Sequence, residues 1–326
     1  MKRESLLTDK KFKKGFSVRG LGLSMYGDEI ENFGDKFGIV ANFQYGLDLK
    51  EQPDWRICQW ASRFPFHDIN NQLDEFDYRF YNLGDGKYVY DNRSKRVGID
   101  TEQGQLDLTL RASTCYKKPR VEGQEWPHLL IERDIGEVGK PSPSTRLNAM
   151  DKLIVNMDVR VNDYIDYMGD EANWDLHAII FIFYMQIANF NPKTGKFDDM
   201  IWFGLPIWDN RWAFTPLQSF PDINTKESAT DKWIYNTPTD VFFSKENNLY
   251  TPDGEKIIGE WKNINVDVLP IIKKALAEAQ KNGYMQNSKY EDLCVNGMYF
   301  GFESCGTYDA SISIKNFDIS REVDDE

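Results

Sequence analysis

The chain has 326 residues, 41% hydrophobic and 28% charged, with no low-complexity tract, so disorder and fibrous classes are excluded. A formal net charge of −13 argues against nucleic acid as a partner, because a polyanion is repelled at long range. Aromatics reach 14%, with 21 Phe, 16 Tyr and 9 Trp, which favours pleated sheet and leaves more rings than one core absorbs.

Residues 1–15 (MKRESLLTDKKFKKG) are rich in charge and are expected to be flexible. They contain no apolar leader, and no later stretch is long enough to span a bilayer, so no membrane partner is expected. The sequence as given therefore reads as cytoplasmic, and a chain whose signal peptide had been removed would read the same while being secreted. From 16 to 320 no linker or repeat intervenes, so one domain is expected, followed by an acidic tail at 321–326. The four cysteines (Cys58, Cys115, Cys294, Cys305) have no CxxC spacing and only three histidines accompany them, which gives no zinc pattern and leaves two disulfides open.

Strand signals recur along the chain. Trp55 and Trp60 in PDWRICQWASRF read as packing residues of an early strand. Asp85-Gly86 is a turn before Lys87–Tyr90. In GQLDLTLRA, Leu106, Leu108 and Leu110 alternate with polar residues, as on a strand with one wet face. In KLIVNMDVRV, Leu153, Val155, Met157, Val159 and Val161 form the buried face, with Asn156, Asp158 and Arg160 opposite. The runs HAIIFIFYMQIANF and DDMIWFGLPIWDNRW, joined by NPKTG, read as adjacent antiparallel strands of a large sheet. From Val268 the spacing changes: Val268, Ile272, Ala275, Leu276 and Ala279 share one face of a helix over about 267–282, with Asp267 as N-cap and Gly283 as stop. Two closing strands, VNGMYFGFESC and YDASISIKNFDI, follow. Many strands and one helix predict an all-β fold, a two-sheet antiparallel jelly-roll sandwich.

On strand 128–134, alternation puts His128, Leu130, Glu132 and Asp134 on one face. Two carboxylates two residues apart perturb one another and suit general acid–base work, while a bland alternative pairs Glu132 with an arginine such as Arg133 or Arg160. With Glu137 the spacing is E-x-D-x-x-E (Glu132, Asp134, Glu137), which resembles the catalytic strand of laminarinase- and lichenase-type β-glucanases. That resemblance implies a nucleophile at Glu132, an assisting Asp134 and an acid/base at Glu137. The sequence departs from the family at Arg133, in an apolar position, and at Gly136, which ends the strand.

Further along, Tyr184 and Gln186 share a face, and a phenol and an amide are groups that read sugar hydroxyls. Alginate-lyase-type jelly rolls also carry a strand Gln, but here Gln186-Ile187-Ala188 lacks that family's His. Trp202, Gly204, Pro206 and Trp208 alternate onto one face, with Asp209 and Arg211 following; the rings either stack on sugar or fill the core, and Gly204 leaves space above the sheet. Glu303, between Gly301 and Cys305 on the closing strand, is a further carboxylate candidate. No GxGxxG, P-loop, GxSxG or HExxH occurs, and no cofactor is indicated. Asp28, Asp91, Asn92 and Asp198 lie in turns of the kind that hold structural calcium, without a spacing that assigns it.

Taken over residues 16–320, the aromatic strands and the closing GFES…YDASISIKNFDI hairpin resemble the concanavalin A-like lectin/glucanase superfamily. That resemblance implies a jelly roll handling carbohydrate on its concave sheet. Three functions stay open: a glycoside hydrolase drawing catalytic groups from Glu132, Asp134, Glu303 and Asp209, with His128, Tyr184, Gln186, Trp202, Trp208 and Arg211 binding an oligo- or polysaccharide; a lectin-like module without catalysis; and a structural sandwich with its tryptophans buried. A polysaccharide lyase ranks below the hydrolase. Sugar, linkage and oligomeric state are not legible.

Overall fold

The computed structural model describes residues 2–26, 29–32, 34–66, 79–136, 142–191, 193–223, 225 and 229–324. Two sheets face each other. The eight-stranded sheet runs β17 (Lys262–Asp267), β12 (Lys152–Asp166), β19 (Tyr308–Val323), β10 (Gln105–Arg111), β9 (Lys95–Asp100), β8 (Lys87–Asp91) and β7 (Arg79–Gly84), with β1 (Lys2–Ser5) also paired to β19. The nine-stranded sheet runs β15 (Gln218–Pro221), β16 (Trp233–Asn236), β14 (Lys196–Asp209), β13 (Ile179–Asn191), β18 (Leu293–Ser304), β11 (His128–Asp134), β6 (Trp55–Cys58), β2 (Phe16–Arg19) and β5 (Ile39–Phe43). A small hairpin, β3 (Leu23–Tyr26) with β4 (Glu29–Asn32), stands apart. Pairing is antiparallel except between β14 and β16 and between β2 and β6, which run parallel. The fold is the expected jelly-roll β-sandwich, with one α-helix among the described residues.

The core lies between the inner faces. Leu106, Leu108 and Leu110 of β10 and Leu153, Val155, Met157, Val159 and Val161 of β12 are buried, as their alternation predicted. Opposite them Phe181, Phe183, Met185, Phe300 and Phe302 fill the second layer. Each such side chain, fully buried, contributes about 1.5–3 kcal/mol.

The helix α1 (Leu269–Lys281) packs against β14 of one sheet and β12 of the other, closing one side of the sandwich. Its N-cap is Val268, without a side-chain cap bond; Asp267, one residue earlier, uses Oδ1 to accept the amides of Leu269 and Leu153, each at 3.1 Å.

Two expectations are corrected, and the open question of the cysteines is answered. Residues 2–5 are not a loose end but a strand, Lys2–Ser5 pairing with Ser320–Val323, while Leu7 and Phe12 are core residues. The same pairing takes Arg321–Val323 out of the expected tail: Arg321 holds Glu4 at 2.6 Å. All four cysteines are free thiols.

Candidate functional site

The outer face of the nine-stranded sheet carries a cleft of about 1430 Å³. Register aligns its floor in rows. Gln218, Asn236, Gly204, Tyr184, Tyr299, Glu132 and Arg56 stand side by side on seven strands. Trp202, Gln186, Gly297 and Asp134 form the row on one side. On the other side come Ile182, Gly301, Leu130 and Cys58, and then Ile180, Glu303 and His128. Tyr184, Gln186, Trp202, Arg211, His128, Glu132, Asp134 and Glu303 all line the cleft, so eight sequence-predicted residues come together there.

Glu132 and Glu303 sit on neighbouring strands four residues out of register, about 13 Å apart along the strand direction at the backbone. Each carboxylate is held by its own partners. Glu132 Oε1 accepts from Arg19 Nε and Arg56 Nε, each at 2.6 Å, and Arg56 Nη1 donates to Asp134 Oδ2 at 2.7 Å. Arg19 extends β2 into the row of Cys58; burial, reinforced by the Glu132 charge, pushes that thiol well up. From the other side, Tyr299 donates its hydroxyl to Glu303 Oε1 at 3.5 Å. Gly301 lies in this intervening row with φ +144°, and a Cβ there would sit 2.1 Å from the Leu129 carbonyl oxygen. The backbone conformation and that approach both demand glycine.

Glu303 stands among rings. Trp126 Nε1 donates to its Oε2 at 3.2 Å, and His128 Nε2 is 3.8 Å from the same oxygen. The imidazole is held between Trp126 (centroids 5.8 Å, 26°) and Trp60 (5.8 Å, 65°). Tyr184, Tyr299 and Trp202 form a second cluster, with centroids 5.2 to 6.1 Å apart. Burial first, then the Glu303 charge, pushes both phenols well above their ordinary range, which keeps them neutral donors. His128 Nδ1 and Asn236 Oδ1 are buried without a partner.

Several predicted residues stand elsewhere. Trp208 is a core residue, 1% exposed, edge-on to Tyr164 at 5.5 Å. The pairing of β13 with β14 steps from Phe181–Trp208 to Ile182–Pro206, so Ile207 is an extra residue that reverses the faces beyond it. Asp209 is buried and spent: Arg211 donates Nε to Oδ1 (2.9 Å) and Nη2 to Oδ2 (2.8 Å), leaving no free carboxylate for catalysis. Arg211 in turn donates to the Trp174 carbonyl at 3.1 Å and lies over Trp212, so it braces the cleft wall. The space above Gly204 is filled by Tyr184 and Asn236. Glu132 pairs with neither Arg133 nor Arg160; Arg133 faces inward over Trp55 and donates to the Thr8 carbonyl at 2.7 Å. Glu137 and Asp28 lie outside the described residues. Asp91 is paired with Arg111 and Asp198 accepts from Asn191, and among the described residues no three His, Cys, Asp or Glu side chains cluster as a metal site.

The sequence reading missed Arg19, Arg56, Trp60, Trp126 and Asn236 as cleft residues. The only signal was the PDWRICQWASRF stretch, which holds Arg56 and Trp60 and reads as packing.

No protein-family profile matches the chain, and no curated protein does. Solved structures similar to it include the endoglucanase Cel12A of Rhodothermus marinus, at 10% identity and TM-score 0.38 over 76% of this chain and 97% of that one. The native family 12 xyloglucanase of Bacillus licheniformis is similar at 12% identity and TM-score 0.38, over 74% and 96%. The family 11 xylanase of Neocallimastix patriciarum is similar at 8% and 0.36, over 76% and 96%. Likeness at this level carries no residue's role across. The chemistry rests on the side chains of this chain.

Proposed function

We propose that the chain binds an oligo- or polysaccharide along this cleft and hydrolyses a glycosidic bond over Gly301. Glu303, among indole and phenol rings, gives a proton to the leaving oxygen. Glu132, ion-paired with Arg19 and Arg56, is the opposing carboxylate that takes a proton from the attacking water. The observation that carries this reading is the pair of carboxylates on the rows either side of Gly301 in one aromatic-lined cleft. Trp202, Tyr184 and Tyr299 supply stacking surface, and Gln186, Asp134 and His128 supply polar contacts.

A lectin-like function without cleavage is the second reading. It is favoured by one detail: Glu132 Oε1 receives two guanidinium N–H groups, which occupies lone pairs that a base needs. One experiment separates the two. Release of reducing ends from carboxymethylcellulose, xyloglucan and xylan is measured beside binding of the same glycans. Hydrolysis predicts that Glu303→Gln lowers turnover by about a hundredfold or more while binding persists. Binding by the wild type with no reducing ends supports the lectin; no binding to any of the three removes the saccharide reading for these glycans.

A further inference from the structure

Outside the cleft, His177 is buried and takes no part in the proposed chemistry. Both ring nitrogens are engaged by backbone. Asn173 N–H donates to Nδ1 at 3.0 Å, and Nε2 lies 2.8 Å from the Arg120 carbonyl oxygen. A donor facing Nδ1 requires that nitrogen to be bare, so the proton is on Nε2 and is donated to Arg120. One neutral tautomer thus joins two loops. The loop of Asn173, Asp175 and Leu176 and the loop of Arg120 and Trp126 both wall the cleft.

The contact continues inward. The Arg120 guanidinium lies over the Trp126 ring at 4.9 Å, and Trp126 Nε1 donates to Glu303 Oε2 at 3.2 Å. Arg120 is itself buried and donates Nε to the Gln124 carbonyl at 2.7 Å, so its position follows its own loop. We infer that His177 is a positioning residue which, through Arg120, sets where Trp126 holds the carboxyl of Glu303. It touches no substrate. The role rests on the reading of Glu303 as the reacting carboxyl.

The test compares His177→Phe, which keeps a ring and removes both bonds, with His177→Gln, whose amide has one acceptor and one donor to replace them. In the full-length protein, loss of its acceptor should raise Asn173 amide exchange about tenfold in the Phe variant. The Trp126 indole N–H resonance should move with it, and reducing-end release from the three glycans should fall in kcat more than in KM. The Gln variant should restore all three. An unmoved Trp126 resonance in a folded Phe variant overturns the inference, as does an equal shift in the Gln variant. If the Phe variant fails to fold, His177→Asn, whose shorter side chain keeps an acceptor for Asn173 but whose NH2 falls short of the Arg120 carbonyl, serves in its place. A Trp126 shift restored by Gln, in a protein whose wild type cleaves nothing, leaves the positioning intact and removes only the hydrolase reading.

Discussion

Lys95 at the start of β9 is buried, with its ammonium donating to Ser62 Oγ at 2.6 Å, to Ser94 Oγ at 3.0 Å and to the Phe64 carbonyl. All three acceptors are neutral, so they do not replace the hydration a charge loses, and burial lowers the amine to about 7. Between about pH 7 and the ordinary lysine range the unfolded chain then holds the proton that the folded chain releases. Stability contributed by this group rises with pH across that window, by up to about 1.4 kcal/mol per pH unit, and its cost is fully present below it. Urea midpoints at pH 7, 8 and 9 should climb more steeply for the wild type than for Lys95→Met; parallel curves would show that the amine keeps its charge. Nothing in the sequence around Lys95 announces its burial, because two of its three acceptors, Ser62 and Phe64, lie 33 and 31 positions earlier. Glu132 was legible as a candidate in the same limited way: its face and carboxylate neighbour follow from alternation, but Arg19 comes from a strand 113 residues away.

At the scale of elements, one residue decides which tryptophans meet solvent. From Asp199 to Pro206, β14 obeys the two-residue period and Trp202 faces the cleft; the extra Ile207 sends Trp208 into the core. Alternation alone could not reveal this, yet Pro206 was a signal. A proline has no N–H for the ladder, and β14 is flanked by β13 and β16, so a proline there calls for a bulge. The two indoles therefore predict opposite phenotypes. Trp208→Ala should cost about 3–5 kcal/mol in denaturant unfolding, as for a large core ring. Trp202→Ala should cost less than about 1.5 kcal/mol and instead weaken glycan binding. Equal losses of stability would contradict the face assignment. The helix shows how much a period can convey: its apolar face places it between the layers, and its bounds fall within two residues of the expected 267–282.

For the whole molecule, alternation and turn residues made the sandwich legible, because burial of one face per strand is a local property. Strand order was not, because register partners such as Lys2 and Val323 lie at opposite ends of the chain. The cleft falls between these cases. Its rings and carboxylates were readable as residue types on strand faces, whereas their assembly into rows depends on which strands pair. The loops walling it, with Trp126 and His177, carry no period.

The pairing of Lys2 with Val323 lies in the eight-stranded layer, on the other side of the core from the cleft. A few added residues would bridge those two positions and make the backbone a closed ring. Such a ring, reopened at the exposed Asp253-Gly254 turn, gives a circular permutant expected to melt within about 5 °C of the parent and to bind the same ligands. Any segment attached next to Lys2 or Val323 would leave from the back of this sandwich, on the far side of the core from the mouth of the cleft.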